Sequence, residues 1–358
     1  MRVEVFDFTL PQTHIALRPV SPRDSAKLLC VGADGRLADK SIRNLPDLLN
    51  KGDALIVNDT RVMPVRLIGT RQRKEQNKAT QMTQTAQTTA QIDVTLIERL
   101  DASLWRALLK PAKRVQKGDI IMFENIRAHI IDRQAGEAQL QFDLPPADMD
   151  KVLAQIGSMP LPPYIATRRP PDMRDKSDYQ TLFASRDGAI AAPTAGLHFT
   201  PNLLDALKAK GVGIHHVTLH VGIGTFLPVK VDNTDAHIMH SEWGEITEQT
   251  AHALNTCKEK GGRLIAVGST PLRLLETAAN REGKIKPFCG HTNIFITPGY
   301  RFKVVDRLLT NFHLPKSTLF MLVCAFSGID NMQTAYAHAI KQNYRFYSYG
   351  DACLLDRQ

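Results

Sequence analysis

The chain has 358 residues, which is more than one hydrophobic core usually serves, so we expect two domains. Its 43% of apolar and 23% of charged residues are ordinary for a soluble globular protein, and a net charge of +9 fits a nucleic-acid partner without requiring one. Five scattered cysteines without a Cys-x-x-Cys pair argue against a disulfide framework or a thiolate metal site and favour a reducing cytosol.

The first half of the chain predicts a small β domain inside a larger one. Residues 1–7 lack a basic region followed by an apolar stretch, so no secretory signal is predicted, and residues 53–60 read as a buried strand that enters a polar turn. Residues 76–91 are almost entirely Gln, Thr and Ala, and we expect a mobile surface loop without chemistry. Short strands are predicted around this loop, at 92–97, 120–123, 128–131 and 138–142.

This close spacing of short strands is typical of a small β-barrel. We therefore expect an inserted domain at 64–152, within a main domain that comprises 1–63 and 153–358. After residue 190 strand and helix signals alternate, which predicts an α/β main domain. Thr200 and Pro201 predict a helix start, and Gly211 predicts its end. Later elements are predicted as strands at 214–221 and 264–267 and helices at 272–279 and 318–326. The apolar run 319–326 is too short to span a bilayer, so we expect a cytoplasmic protein.

Histidines concentrate in one stretch of the main domain, which makes it the best candidate site. Histidine is suited to proton transfer near neutral pH and to metal ligation. Six of the twelve histidines fall between residues 198 and 240: His198, His215, His216, His220, His237 and His240.

Small residues surround these histidines. The segment 192–199 lets the backbone approach a ligand closely. The segment 220–226 contains a Gly-x-Gly turn, but it lacks the third glycine and the following helix of a dinucleotide fingerprint, so that fold is rejected. The amides at 268–271 either hold a carboxylate or phosphate, or simply begin a helix with Thr270 as N-cap and Pro271 as first residue.

Three further segments offer alternatives. At 237–242 the i, i+3 histidine spacing would suit a metal on a helix, but no His-Glu-x-x-His pattern or nearby thiolate supports it. A metal-dependent hydrolase built on His220, His237 and His240 stays an alternative. Residues 310–318 either grip a nucleotide or phosphate or cap a helix, and residues 344–351 either stack on bases or form a core strand.

Six segments in series resemble the S-adenosylmethionine:tRNA ribosyltransferase-isomerase family of queuosine biosynthesis. They span nearly the whole chain: 58–62, 192–200, 218–226, 237–242, 310–318 and 344–352. One departure is Gly-Ser-Thr-Pro at 268–271, where the family usually has Gly-Thr-Thr. The resemblance implies an α/β fold, with a mixed α/β barrel-like main domain and an inserted small antiparallel β-barrel.

The resemblance also implies the reaction. The ribosyl part of S-adenosylmethionine is transferred to 7-aminomethyl-7-deazaguanine at the tRNA wobble position and isomerised, which gives epoxyqueuosine and releases adenine and methionine. S-adenosylmethionine is then a co-substrate, with no tightly bound cofactor and no metal. The expected partner is tRNA, the protein is expected to be a monomer, and no membrane is involved. The alternative from another class is a tRNA- or nucleotide-binding module without catalysis.

Site residues follow from the matched segments and their chemistry, and we expect their loops to form one cavity. Proton transfer and its support are assigned to His198, His220, His240, Glu242 and Asp351. The S-adenosylmethionine pocket is assigned to Thr194, Ala195, Gly196, Gly222, Gly224, Thr225, Thr270 and Arg273. Contacts to tRNA or to the methionine carboxylate are assigned to Arg61, Asn311, His313, Lys316 and Arg345.

Overall fold

The computed structural model describes residues 1–72, 90–226 and 229–358, and the side chains at 225 and 226 are outside that description. The described residues form two compact units, one comprising Met1–Val62 and Ser177–Gln358 and the other Met63–Lys176. The loop predicted at 76–91 lies outside the described residues, except for positions 90 and 91, which begin a strand.

The strands, in chain order, are β1 Lys27–Val31, β2 Leu37–Ser41, β3 Ala54–Asn58, β4 Thr60–Val62, β5 Arg66–Gln72, β6 Ala90–Arg99, β7 Leu104–Lys110, β8 Ile120–Phe123, β9 Ile126–Gln134, β10 Glu137–Phe142, β11 Arg186–Ala189, β12 Gly213–Leu219, β13 Glu242–Ile246, β14 Leu264–Val267, β15 Phe288–Thr292, β16 Arg307–Asn311 and β17 Ala352–Asp356. The helices are α1 Leu45–Leu48, α2 Met149–Ile156, α3 Pro163–Ala166, α4 Asp175–Asp178, α5 Pro201–Ala209, α6 Glu248–Glu259, α7 Ser269–Ala278, α8 Thr318–Ser327 and α9 Ile329–Lys341.

The first unit is built on a nine-stranded sheet in the order β15-β13-β12-β3-β14-β16-β17-β1-β2. Its centre is parallel, because β12, β3, β14 and β16 run in the same direction. The strands β3 and β14 are buried along their whole length, as expected for near-continuous apolar strands covered on both faces.

Helices cover both faces of this sheet. Ile56 of β3 belongs to a core cluster with residues of α6, α7, α8 and α9, while its neighbours Leu55 and Val57 belong to a second cluster with Leu45 of α1 and Leu203 of α5. This split follows from the two-residue alternation of side chains along a strand. The predicted helix after Thr200 is confirmed, since the Thr200 hydroxyl accepts from the Leu203 amide at 3.3 Å.

The second unit contains a closed barrel in the order β10-β7-β6-β5-β8-β9. Every pairing in it is antiparallel, and buried positions alternate along β5, β7 and β10. The predicted mixed α/β class with an inserted antiparallel β-barrel is confirmed.

The compact barrel unit extends past the expected boundary at 152 to Lys176. The backbones of Arg66 and Ser158 hydrogen-bond to each other in both directions, at 3.2 and 2.9 Å, which ties the later segment to β5. Of the two alternatives for 344–351, base stacking or a core strand, the strand is not formed. Its residues lie in an irregular stretch in which Tyr344 and Phe346 are fully buried. Within the described ranges, no helix combines the length and apolar character needed to cross a membrane.

Candidate active site

The order of the sheet brings the predicted site segments to one edge. The carboxyl ends of β3, β12, β14 and β16 lie side by side because these strands are parallel. The antiparallel strands β13 and β17 begin at the same edge. In open α/β sheets, ligands bind outside the carboxyl ends of the strands.

A cavity, which we call the central cavity, opens at this edge. Polar groups line it from several strand ends, and apolar side chains complete its wall. Its lining comprises Tyr179, Ala191, Ala192, Pro193, Thr194, Ala195, Val221, Met239, Gly268, Ser269, Thr270, Arg273, Thr310, Asn311, His313, Thr318, Leu319, Tyr347 and Ser348.

Asn58 holds three of the converging segments together. Its amide nitrogen donates to the Leu219 carbonyl at 2.8 Å and to the Thr270 hydroxyl at 3.3 Å. Its oxygen accepts from the Leu219 amide at 3.1 Å. The ends of β3 and β12 are thereby fixed against the start of α7.

The first turn of α7 forms part of the cavity wall. The helix begins at Ser269, with Gly268 as N-cap at φ 95° and no side-chain cap in the described part of the chain. The expected N-cap at Thr270 is therefore wrong, because the left-handed conformation of Gly268 starts the helix two residues earlier. Uncapped amides at a helix start favour an anionic ligand.

Asn311 links two of the predicted residues. Its oxygen accepts from the Thr194 hydroxyl at 2.9 Å, and its nitrogen lies 3.3 Å from His198 Nε2. Burial, with the nearby charges of Arg345 and Arg23, lowers the pKa of His198 to about 4. His198 is therefore neutral at pH 7. It does not line the central cavity and instead lies behind Asn311, in a small pocket with Arg345.

His313 lines the central cavity. Its Nε2 lies 3.1 Å from the Thr310 hydroxyl, and its backbone amide donates to the Tyr336 hydroxyl at 2.9 Å. Burial lowers the pKa of His313 to about 3, so this imidazole is also neutral near pH 7.

His220 follows β12, directly before the cavity residue Val221, but does not itself line either cavity. Its Nδ1 lies 2.8 Å from the Thr60 hydroxyl, and its ring stacks on Trp243 with centroids 5.1 Å apart. Its Nε2 has no hydrogen bond within the described ranges. Burial and the charge of Arg186 lower the pKa of His220, and Asp59 and Asp187 oppose them.

Glu242 and Arg273 form a buried ion pair, with side chains each 5% exposed. The second Glu242 oxygen accepts from the Gly222 amide at 3.0 Å, which fixes the Gly-x-Gly turn. Arg273 also donates from Nε to the Ile294 carbonyl at 3.2 Å.

A second cavity adjoins the first. Met239 and Thr318 line both cavities, and His240, Glu242 and Gly224 line only the second. The backbone at 237–241 is irregular, so the two histidines do not have the helical spacing that would suit a metal. Among the residues described, no three His, Cys, Asp or Glu side chains come close enough to hold a metal ion, and the hydrolase alternative gains no support.

Like His198 and His220, the predicted residues Asp351, Arg345, Lys316 and Arg61 lie outside both cavities. Asp351 is buried and accepts from the backbone amides of Lys27 at 3.0 Å and Arg345 at 2.7 Å. Arg345 donates to the Arg18 carbonyl at 3.2 Å, Lys316 pairs with Asp7 at 2.7 Å, and Arg61 pairs with Asp187 at 3.5 Å.

Three of the predicted pocket residues remain. Gly196 is buried, and a Cβ there would lie 3.1 Å from the Thr181 methyl carbon, so it serves close packing. Gly222 acts through its amide. Thr225 lies in a 3₁₀ turn at Ile223–Phe226, and its side chain is outside the described part of the structure.

Sequence reasoning missed several cavity residues. Met239, Tyr347 and Ser348 carry no local signal of ligand contact, although the first lies in the matched segment 237–242 and the others in 344–352. Tyr347 has a φ of 75°, which is uncommon for a residue other than glycine and marks functional or strained turns. Asn58 stands in the matched segment 58–62, which was the only signal for its role.

The fold is that of an α/β protein with a cavity at the carboxyl ends of its central strands, which is where sheets of this kind bind small ligands. Residues 3–355 match the family model described as queuosine biosynthesis protein. The chain belongs to this family.

Relatives named S-adenosylmethionine:tRNA ribosyltransferase-isomerase agree with this assignment. The protein from Nitrobacter winogradskyi is 54% identical and covers 99% of this chain and 98% of its own length. The one from Bradyrhizobium diazoefficiens is 56% identical over 100% of this chain and 97% of its own. The crystal structure of S-adenosylmethionine tRNA ribosyltransferase from Thermotoga maritima has a TM-score of 0.54 at 33% identity, over 98% of this chain and 99% of that one.

Proposed function

We propose that this chain is an enzyme that transfers the ribosyl group of S-adenosylmethionine to tRNA and isomerises it. The acceptor is 7-aminomethyl-7-deazaguanine at the wobble position, and the products are epoxyqueuosine in tRNA, adenine and methionine. The observation that carries the proposal is the identity of 54% with a relative of that name over 99% of the chain. The cavity at the carboxyl ends of the strands supports it.

The chemistry requires acid-base groups. The sulfonium of S-adenosylmethionine makes C5′ electrophilic and its protons acidic, so a base can form an ylide. The amine of 7-aminomethyl-7-deazaguanine must be neutral to attack, and adenine needs stabilisation or a proton as it leaves. Imidazoles suit the proton transfers, and hydroxyls and amides can stabilise the leaving adenine by hydrogen bonds.

Neutral imidazoles at this edge suit a cationic substrate. The pKa values of about 4 for His198 and about 3 for His313 keep these two rings uncharged at pH 7, and the lowered pKa of His220 favours its neutral form, so the rings do not repel the sulfonium. We assign proton transfer to His220, because its Nε2 is unbonded within the described residues and its Nδ1 is held by Thr60. His198 would act through Asn311, since that amide separates it from the cavity.

Hydroxyl and amide groups of the central cavity would bind the adenosyl group. Thr194, Thr310 and Asn311 offer donors and acceptors at the edges of one cavity. The second cavity, with the exposed His240 and with Lys230, would receive the tRNA base next to the sulfonium. Arg61 and Lys316 are exposed and could exchange their surface carboxylates for tRNA phosphates.

Adenine release is the decisive test. The full-length protein would be mixed with S-adenosylmethionine and tRNA carrying 7-aminomethyl-7-deazaguanine, and adenine, methionine and the modified nucleoside would be measured by mass spectrometry. Equal amounts of adenine and epoxyqueuosine are expected. Binding of tRNA without adenine release would instead favour a binding module, and the same tRNA carrying guanine at the wobble position is the control.

A further inference from the structure

Arg273 has an unmet hydrogen bond beside the central cavity. The residue is 4% exposed and lines that cavity. Its Nη1 donates to Glu242 and its Nε to the Ile294 carbonyl, whereas the buried Nη2 has no hydrogen-bond partner among the described residues. Buried donors in folded proteins are nearly always paired. Because Arg273 lines the central cavity, a ligand bound there can supply the acceptor that this nitrogen lacks.

The first turn of α7 adds donors to the same place. Ser269 and Thr270 also line the cavity, and no described side chain caps their helix. Long side chains on a helix lean towards its N-terminus, so Arg273, one turn after Ser269, extends towards these amides. The helix start adds positive potential that favours an anion.

Glu242 orients the guanidinium of Arg273 without binding its Nη2. One carboxylate oxygen binds Arg273 and the other accepts from Gly222 at 3.0 Å, so both are engaged within the chain. The planar guanidinium is thereby held with Nη2 left to donate a charge-assisted hydrogen bond to a carboxylate oxygen.

The nearby cavity wall is apolar. Val221, Met239 and Leu319 line the central cavity together with Arg273. Such a wall suits a short chain of methylene groups and a sulfur atom, and it is a poor surface for a hydrated phosphodiester. The anion is therefore expected to stand at the end of an aliphatic chain.

We propose that Arg273 and the first turn of α7 bind the α-carboxylate of the methionyl group of S-adenosylmethionine, which makes Arg273 the residue that selects this substrate over its decarboxylated form. The proposal rests on the proposed function and adds which end of the substrate lies at α7. It moves carboxylate binding away from Arg61, Lys316 and Arg345, none of which lines the central cavity.

Calorimetric titration of the full-length protein with S-adenosylmethionine and with decarboxylated S-adenosylmethionine tests this. The wild type should bind the decarboxylated compound roughly 10- to 100-fold more weakly, because a charge-assisted hydrogen bond is lost and a buried donor is left unpaired. In Arg273→Gln the difference should shrink to about threefold, because only the uncharged amides of the first turn of α7 remain to bind the carboxylate.

A double variant keeps the test possible if Arg273→Gln does not fold. Glu242→Gln combined with Arg273→Gln removes both buried charges and leaves neither unpaired, so it should fold and also lose the preference. Arg307→Gln is the matched control, because Arg307 is a buried arginine paired with Asp356 at 2.5 Å outside the cavity. That control should keep the full preference.

Equal binding of both compounds by the wild type would overturn the proposal, as would an unchanged preference in either Arg273 variant. If the wild type releases adenine from modified tRNA but shows no preference, the inference fails and the proposed function stands. If it neither binds S-adenosylmethionine nor releases adenine, both fail. Should Arg273→Gln not fold, the wild type and the double variant decide.

Discussion

The polar groups at the two edges of the nine-stranded sheet differ in how completely they are hydrogen-bonded within the chain. At the amino ends of β3 and β14, Asp53 accepts from the Asn50 amide at 2.8 Å and from Arg263 Nη2 at 2.6 Å, and the Asp306 carboxylate accepts from the Leu264 amide at 2.8 Å. At the carboxyl ends, Arg273 keeps an unpaired nitrogen among the described residues, and the start of α7 is uncapped by any of them.

With carboxylate binding by Arg273 as proposed, this contrast separates groups that stabilise the fold from groups that bind a ligand. A buried polar group that is fully paired stabilises one conformation, and a buried group left unpaired reduces stability unless something binds to it. Changes at the carboxyl edge should therefore reduce activity more than stability, and changes at the amino edge should do the reverse. Variants at each edge test that division.

Replacing His220 by alanine should have the largest effect on turnover. We expect adenine release to fall roughly 100- to 1000-fold, the usual contribution of a general acid-base group, with little change in tRNA affinity. Single-turnover experiments would measure adenine release, and titration with tRNA would measure the affinity. The matched control is His338→Ala, a surface histidine that pairs with Asp39 at 2.9 Å and should keep full turnover. Wild-type turnover in His220→Ala would remove it from the mechanism.

The buried His198 predicts how stability depends on pH. Its pKa is about 4 in the folded chain and about 6.5 when unfolded, so between these values only the unfolded chain takes up the proton. The free energy of unfolding should therefore fall as pH falls from 6.5 to 4, by about 3 kcal/mol from this residue. The free energy of unfolding, measured by urea titration at several pH values in this range, should depend less steeply on pH in His198→Asn than in the wild type. An unchanged slope would contradict a buried neutral ring.

Asp53→Ala tests the amino edge. Burial alone would raise the pKa of Asp53, but hydrogen bonds from Arg263 and Asn50 outweigh it and hold the pKa below the ordinary value. The stabilisation is thus present above about pH 4 and is lost as pH falls. The variant should lose about 2 to 3 kcal/mol of unfolding free energy at pH 7.

Adenine release per folded molecule should not change in Asp53→Ala, because the residue lies at the edge opposite the cavity. Asp205→Ala, at an exposed position of α5, is the control and should shift stability by less than about 0.5 kcal/mol. Loss of turnover in fully folded Asp53→Ala would break the division between the two edges.

Alanine substitutions at two glycines should have the smallest effects on turnover, and they test whether His240 of the second cavity takes part. A Cβ at Gly222 would meet nothing within 4 Å, whereas one at Gly224 would lie 2.6 Å from His240 Cδ2. Gly222→Ala should leave turnover unchanged, and Gly224→Ala should displace His240 and lower turnover roughly 3- to 10-fold. Equal turnover in the two variants would show that the position of His240 is unimportant.

Local patterns of the sequence were enough for much of the fold. The buried run at β3, the Thr200 cap of α5 and the short strands of the barrel each depend on neighbouring residues, and the structure confirms them. The compact barrel unit reaches Lys176 rather than 152 because Arg66 pairs with Ser158, far along the chain. Pairing between distant segments leaves no local pattern.

The sequence by itself determined the family, the α/β and β-barrel classes, and several of the segments that line the central cavity. Only the tertiary structure decided which of their side chains meet. It brings His313 and Arg273 to the central cavity, keeps His198 behind Asn311, and pairs Glu242 with Arg273. The physical reason is that these contacts depend on which strand ends lie side by side, and strand order is set by packing across the whole sheet rather than by residues near each position.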